Sequence, residues 1–348
     1  MSIPDLAERL AAQPRAVLAH APTPMERMPN LERALGTGAG LWVKRDDCTG
    51  LALGGNKARQ LEFYFGEAQS QDADTVLITG AVQSNFVRSC AAAAAKLGLE
   101  CHIQLEERVP KSDPLYRNSG NVLLDKLLGA HLTSYPEGED EAGADAELER
   151  MADRLRQQGR RPYVIHLAAD HPPRGALGYV VAAGEMLDQL DGMDLGLDRM
   201  VIASGSAATH AGTLFGLRAR GSNLPVTGVC VRRAADQQAP RVLATCQAIA
   251  DILGCANPVT AADVQVTDGY IGPGYGRPDD GTREAIAMAA RTEALVLDPV
   301  YTGKVMAGLI GLVRDGTIGR DDNALFVHTG GTPAVFAYAD DLEQVLAG

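Results

Sequence analysis

The chain has 348 residues, 46% of them hydrophobic, which is enough for two packed cores or one large one. Lys plus Arg total 32 and Asp plus Glu total 44, a net charge of -12 with no basic run, which argues against a nucleic-acid or membrane-surface role. No stretch reaches the roughly 18 apolar residues that span a bilayer. Met1 to Arg15 lacks a cationic start followed by an apolar run, so no signal peptide is expected. Cys48, Cys90, Cys101, Cys230, Cys246 and Cys255 form no C-x-x-C pair and no zinc-like spacing with His. They read as reduced, mostly buried thiols of a cytoplasmic protein, and no metal is expected.

In chain order, residues 5–35 read as an amphipathic helix, a Pro-rich connector from His20 to Pro29 and a second short helix. Leu41 to Lys44 is a short strand, stopped by the charges of Arg45-Asp46-Asp47. A glycine-rich loop, Gly50 to Gly55, leads to Asn56, Lys57 and a helix from Ala58 to Gln69. A lysine directly behind two glycines and an asparagine has open backbone on one side and a free amine on the other. That suits an amine forming a Schiff base with a bound aldehyde. Thr75 to Thr79 is an apolar strand that runs through Gly80-Ala81-Val82-Gln83-Ser84-Asn85 into an Ala-rich helix, Phe86 to Leu97. Gly98 suits its C-cap, and Cys101 to Leu105 is the next strand. Continuous apolar runs without alternation indicate a parallel sheet covered on both faces.

Leu115 to Leu128 and Asp145 to Gln158 read as helices, with an acidic surface loop, Glu137 to Asp145, before the second. Tyr163 to Leu167 is a strand and Gly175 to Leu190 a helix. A second strand-turn-helix unit follows: Met200 to Ala203, the loop Ser204 to Thr209, and a helix from about His210 to Arg218. Then come strand Val226 to Val231, a Gly-rich loop (Gly269 to Gly276) and a helix, Thr282 to Arg291. The segment Leu295 to Tyr301, a helix from Gly303 to Arg314 and a last strand, Ala324 to His328, complete the series. Repeated alternation of strand and helix specifies an α/β fold with right-handed crossovers.

Three places carry chemistry. Ser84-Asn85 sits where a strand hands over to a helix, and the free N–H groups and dipole there favour a carboxylate. The Gly205 to Thr209 loop opens another helix, and its small residues let backbone amides approach a phosphate. Lys57 is the third. A Walker A loop is excluded because the glycine-rich loop ends Gly-Asn-Lys-Ala, and no G-x-G-x-x-G joins a strand to a helix. No G-x-S-x-G elbow follows a strand, which argues against a serine hydrolase.

Six motifs in order resemble one family: Gly54-Gly55-Asn56-Lys57, Gln83-Ser84-Asn85, Ser204 to Gly212, Gly272-Pro273-Gly274-Tyr275-Gly276, Asp298 to Lys304, and His328-Thr329-Gly330-Gly331. It is the pyridoxal-phosphate family of D-cysteine desulfhydrase, L-cysteate sulfo-lyase and 1-aminocyclopropane-1-carboxylate deaminase, matched from about Ala21 to Tyr338. The resemblance implies a two-domain, fold type II α/β enzyme similar to the tryptophan synthase β-subunit, with parallel sheets covered by helices. It implies a large cofactor-binding domain (1–57 and 166–348), a small domain (58–165) and a homodimer. Lys57 would hold pyridoxal 5'-phosphate as a Schiff base and shuttle the Cα proton. Asn85 would bond the cofactor's 3-hydroxyl, and Gly205, Ser206, Ala207, Ala208 and Thr209 would cradle its phosphate. Ser84, with Gln83 and Asn85 beside it, would hold the carboxylate of a small amino-acid substrate. Tyr275 and Tyr301 would line the substrate side of the ring, and Thr329 would face the pyridine nitrogen.

A hydroxyl at that nitrogen cannot keep it protonated as a carboxylate would. The ring is then a weaker electron sink, and early loss of a leaving group from Cβ becomes the better route. That points to β-elimination of thiolate or sulfite, with pyruvate and ammonia as products. Three departures narrow the choice. The ring-opening deaminases resemble Tyr-Glu where this chain has Tyr301-Thr302, and Gln-Ser-Asn-His reads Gln83-Ser84-Asn85-Phe86 here. A Gly-Gly-Ser-Asn-type loop is replaced by His166-Leu167-Ala168-Ala169-Asp170-His171-Pro172-Pro173-Arg174-Gly175. If that loop faces the substrate, His166, His171 and Arg174 suit a sulfonate, which places L-cysteate slightly ahead of D-cysteine. Cyclopropane deamination, and cofactor binding without catalysis, are the alternatives.

Overall fold

The computed structural model describes residues 2–167 and 171–346, with side chains through residue 343. Among the described residues the ten strands are β1 (Met25–Arg27), β2 (Gly40–Lys44), β3 (Thr75–Ala81), β4 (Glu100–Glu106), β5 (His131–Tyr135), β6 (Pro162–Ile165), β7 (Arg199–Ser204), β8 (Val226–Cys230), β9 (Gln265–Thr267) and β10 (Asn323–Val327). They form two sheets. One has the order β1-β2-β10-β7-β8-β9 and is parallel except for the β1–β2 pair. The other, β5-β4-β3-β6, is wholly parallel.

Both central strands show why the sequence reads as continuous apolar runs. In β7, Met200 and Ile202 pack with the helices Leu177–Gly192, Ala208–Ala219 and Ala235–Leu253. Val201 between them points to the opposite face, toward the helices Asp280–Glu293 and Thr302–Arg314. In β3, Val76 and Ile78 join the core against the helix Asn85–Leu97, while Leu77 meets Leu148 of the helix Glu141–Gln157. Alternate side chains leave on opposite faces, so a strand covered on both sides needs apolar residues throughout. Among the described residues no helix is long and apolar enough to cross a membrane.

Several sequence expectations need correction. Leu115 to Leu128 is two helices, Pro114–Asn118 and Gly120–Leu127. The break falls at Gly120, whose φ of +57° is out of reach for most residues, and a Cβ there would meet Gln83 Oε1 at 2.6 Å. The acidic segment before Asp145 is not all surface loop. A helix begins at Glu141, because Asp140 caps it by accepting from Gly143 N at 2.9 Å. The helix Ala235–Leu253 was not expected, since Pro240 lies inside it. Strands β1, β5 and β9 were also not expected. Each lies at a sheet edge, where exposure on one side erases the apolar run.

Candidate active site

Loops leaving the carboxyl ends of β3, β7 and β10 converge on one cavity, the usual ligand position in open α/β sheets. Lys57, Ser84, Asn85, Gly205, Ser206, Ala207, Thr209, Tyr275, Tyr301 and Thr329 all line it. The structure thus brings together ten sequence-expected positions that lie between residues 57 and 329 of the chain.

Lys57 opens the helix Lys57–Ser70. The turn before it holds four successive left-handed residues, Ala52, Leu53, Gly54 and Gly55. A Cβ at Gly54 would lie 1.8 Å from Asp47 O, so glycine is required there. Arg88 secures the turn from behind, donating through Nη1 to the carbonyls of Ala52 (2.8 Å) and Gly54 (3.1 Å). The helix itself is moored by Arg59, which donates to both oxygens of Asp46 at 2.9 Å and to Glu185 at 2.8 Å. Lys57 keeps some solvent contact through the cavity, yet its amine is ringed by protein. That desolvation lowers its pKa from 10.5 to about 8. Its Nζ donates to Gln60 Oε1 at 3.1 Å and lies 4.7 Å from the centroid of the Phe86 ring.

Ser84 caps the helix Asn85–Leu97, accepting from Phe86 N at 3.2 Å and Val87 N at 3.4 Å. Asn85 faces the cavity, and its Oδ1 accepts from Asn121 Nδ2 at 2.9 Å. Gln83 does not line the cavity. Its amide donates to the carbonyls of Tyr116 (2.6 Å) and Ser119 (3.0 Å), and its oxygen accepts from Asn121 N at 2.9 Å. The expectation that Gln83 touches substrate is therefore corrected: it is spent on holding the chain that carries Asn121.

At the opposite wall, Ala207 is left-handed and directly precedes the helix Ala208–Ala219. First-turn amides of a helix have no intrahelical acceptor and are available to an anion. Thr209 Oγ1 accepts from Asn56 (2.8 Å) and from Gln60 (2.7 Å), which couples this loop to the lysine segment. Ala208 faces a neighbouring cavity instead of this one. Behind the loop, Ser204 contacts His210 Nδ1 at 3.1 Å and accepts from Gln238 at 2.9 Å. Burial lowers the His210 pKa to about 4, so the ring is neutral.

The hydroxyls of Tyr275 and Tyr301 lie 2.5 Å apart, with their rings edge to face. Each is held by a charged residue that the sequence motifs contained without explaining. Lys304 donates to the carbonyls of Ile271 (2.6 Å) and Gly274 (2.7 Å), fixing the loop that presents Tyr275. Asp298 accepts from the amides of Val300, Tyr301 and Thr302 at 2.9–3.0 Å, fixing the turn that presents Tyr301.

The cationic wall is not where the sequence placed it. Arg174 pairs with Glu67 at 2.6 Å and does not line the cavity. His171 stacks on His166 with centroids 3.7 Å apart, close to Asp145, and lines the adjacent cavity. Ala168, Ala169 and Asp170 of the same loop lie outside the described residues. Besides Lys57, the charged residues that line the site are Arg108, Arg232, Arg233, Arg241, Glu141 and Asp298. Two consecutive arginines after strand β8 were the one available signal, and nothing in their spacing tied them to a distant loop.

The pattern of the pyridoxal-phosphate dependent enzyme family matches residues 17–330. The D-cysteine desulfhydrase of Salmonella schwarzengrund (strain CVM19633) is 44% identical over 325 residues, covering 93% of this chain and 96% of that protein. The enzyme of the same name from Salmonella typhi is 43% identical with the same coverage. A crystal structure of an ACC deaminase homologue superposes with a TM-score of 0.86 at 34% identity, covering 98% of this chain and 99% of the other. An L-serine ammonia-lyase from Rhizomucor miehei shares the fold, with a TM-score of 0.66 at 19% identity over 94% of this chain and 98% of its own. The α/β fold expected from the resemblance is borne out.

Proposed function

Because this chain belongs to the pyridoxal-phosphate dependent enzyme family, we propose that it is a carbon–sulfur lyase. It removes a sulfur substituent from Cβ of a three-carbon amino acid, leaving pyruvate and ammonia, and L-cysteate is preferred to D-cysteine. The residues present fit the cofactor. A desolvated amine with a pKa near 8 and no carboxylate partner among the described residues shares one cavity with the N-terminus of a helix. When bound, pyridoxal phosphate supplies the electron sink for the pair released at Cα.

The chain's own groups divide the remaining work. Lys57 would hold the cofactor aldehyde and, as a free amine, would take the Cα proton on Nζ; its lowered pKa leaves a usable fraction unprotonated near neutrality. The amides of residues 205–209 and the Thr209 hydroxyl would hold the phosphate, Asn85 the 3-hydroxyl, and Thr329 the ring nitrogen. Ser84 and the amides of the helix it caps orient the substrate carboxylate. The Tyr275–Tyr301 pair bounds the substrate on its other side. A large domain (1–57 and 166–348) and a small one (58–165) in a homodimer belong to this reading. The division is supported by the four-stranded sheet lying wholly within residues 75–165.

The observation that carries the preference for cysteate is the charge of the cavity wall, four arginines against the carboxylates of Glu141 and Asp298. A thiol has no need of such a wall, while a sulfonate does. The curated relatives named D-cysteine desulfhydrase favour the second reading, sulfide release from D-cysteine. Purified holoenzyme given each substrate decides: sulfite from L-cysteate, with equal pyruvate, is the expected major activity. Sulfide from D-cysteine alone would overturn the substrate. Production of 2-oxobutyrate from 1-aminocyclopropane-1-carboxylate, without pyruvate from either sulfur substrate, would overturn the β-elimination.

A further inference from the structure

The reading as a sulfonate-releasing lyase poses a problem of charge. Lys57 removes the Cα proton, the Cα–H electron pair becomes the Cα–Cβ π bond, and the Cβ–S bond breaks with its pair on sulfur. The departing group changes from a sulfonate with one negative charge to sulfite with two. No oxidant or reductant takes part. A site that meets the extra charge with fixed cations binds the transition state more tightly than the substrate.

The four arginines of the cavity wall are not equivalent. Arg233 Nη1 is directed at the Gly205 carbonyl at 3.3 Å, on the phosphate side. Arg241 Nη2 is directed at the Leu167 carbonyl at 3.3 Å, toward the adjacent cavity. Arg108 and Arg232 stand on the tyrosine side. Both line the cavity that Tyr275 and Tyr301 line; burial raises the pKa of Tyr275, and Arg108 and Arg232 pull it back down. Arg108 acts on Tyr301 in the same way.

Both are braced from behind. Arg108 points Nε (2.8 Å) and Nη2 (2.7 Å) at one oxygen of Glu106, a fully buried carboxylate whose other oxygen accepts from Thr79 at 2.7 Å. Arg108 Nη1 has no acceptor among the described residues. Arg232 donates to Glu139 at 2.7 Å and to Glu141 at 2.8 Å. The Glu141 carboxylate also accepts from Arg233 at 2.5 Å and lies 3.6 Å from Arg241. Burial raises the pKa of Glu141, but Arg233, Arg232, Arg241 and Arg108 outweigh it and hold the group below its ordinary value. The cluster is therefore built to hold an anion, and a side chain from the helix Glu141–Gln157 supplies one.

We infer that Arg108 and Arg232 form the leaving-group subsite, receiving the sulfonate beside the tyrosine pair and stabilising sulfite as it departs. This assignment rests on the lyase reading, and its test separates the two. In holoenzyme, Arg232→Met and Arg108→Met are compared with the parent on L-cysteate and D-cysteine. Arg232→Met leaves no fully buried carboxylate stranded, so it serves if Arg108→Met, which strands Glu106, does not fold. The ratio of kcat/KM for cysteate to that for D-cysteine should fall at least about 50-fold, mainly through kcat, with partial rescue by Arg108→Lys. Parallel losses on both substrates, as a purely structural role would give, overturn the assignment. If the parent enzyme releases no sulfite, the cysteate reading fails, and calorimetric titration of holoenzyme with methanesulfonate still decides the subsite. Binding weakened at least about tenfold in Arg232→Met supports it; unchanged binding overturns it.

Discussion

Asn121 Nδ2 donates to Asn85 Oδ1 at 2.9 Å, while Asn121 Oδ1 receives Arg88 Nε at 3.2 Å. One fully buried amide thus joins the residue proposed to meet the cofactor's hydroxyl to the guanidinium that holds the lysine turn. Asn121 Nδ2 also donates to the Gln83 carbonyl at 3.0 Å, so Asn121→Ala would leave Arg88, Gln83 and Asn85 each short of a partner. The expected loss is about 1–3 kcal/mol of stability, read from the urea midpoint. Cofactor should also dialyse from the variant faster than from the parent. Unchanged retention would mean that Asn85 needs no such support.

The lowered pKa of Lys57 gives reconstitution a specific pH dependence. Only the unprotonated amine attacks an aldehyde, and desolvation places its midpoint at about 8. The rate at which cofactor-free protein gains absorbance with pyridoxal phosphate should rise about tenfold per pH unit below that point and level off above it. An amine at the ordinary value of 10.5 would keep accelerating through pH 9 and 10.

Tyr301→Phe removes one hydroxyl from the 2.5 Å pair and leaves the ring in place. Loss of that polar contact beside the reacting carbons should lower kcat by about 100-fold while the absorbance of the bound cofactor stays as in the parent. A variant with full kcat would restrict the tyrosines to packing.

The fold was legible because the central strands are covered on both faces. Met200-Val201-Ile202 and Val76-Leu77-Ile78 are apolar at every position, as strands buried on both faces must be. The edge strands were not, since half of each faces water. In the site, residues that act through backbone at strand ends, such as Ser84 and the loop after Ser204, lie where a strand visibly turns into a helix. The arginine wall lacked such a marker: Arg108 follows β4, Arg232 and Arg233 follow β8, and Glu141 opens a helix whose first turn is acidic and glycine-containing like a loop. Arg174 and His171 looked suitable by charge alone, yet tertiary packing gives Arg174 to Glu67 and stacks His171 on His166.

The central claim is a covalent bond between Lys57 and the cofactor. Holoenzyme reduced with borohydride, digested and mapped by mass spectrometry tests it most directly. The account predicts a pyridoxyl-phosphate adduct on the peptide containing Lys57, and none in Lys57→Ala. An unmodified Lys57 in protein that carries the cofactor, or an adduct on another lysine, would contradict it.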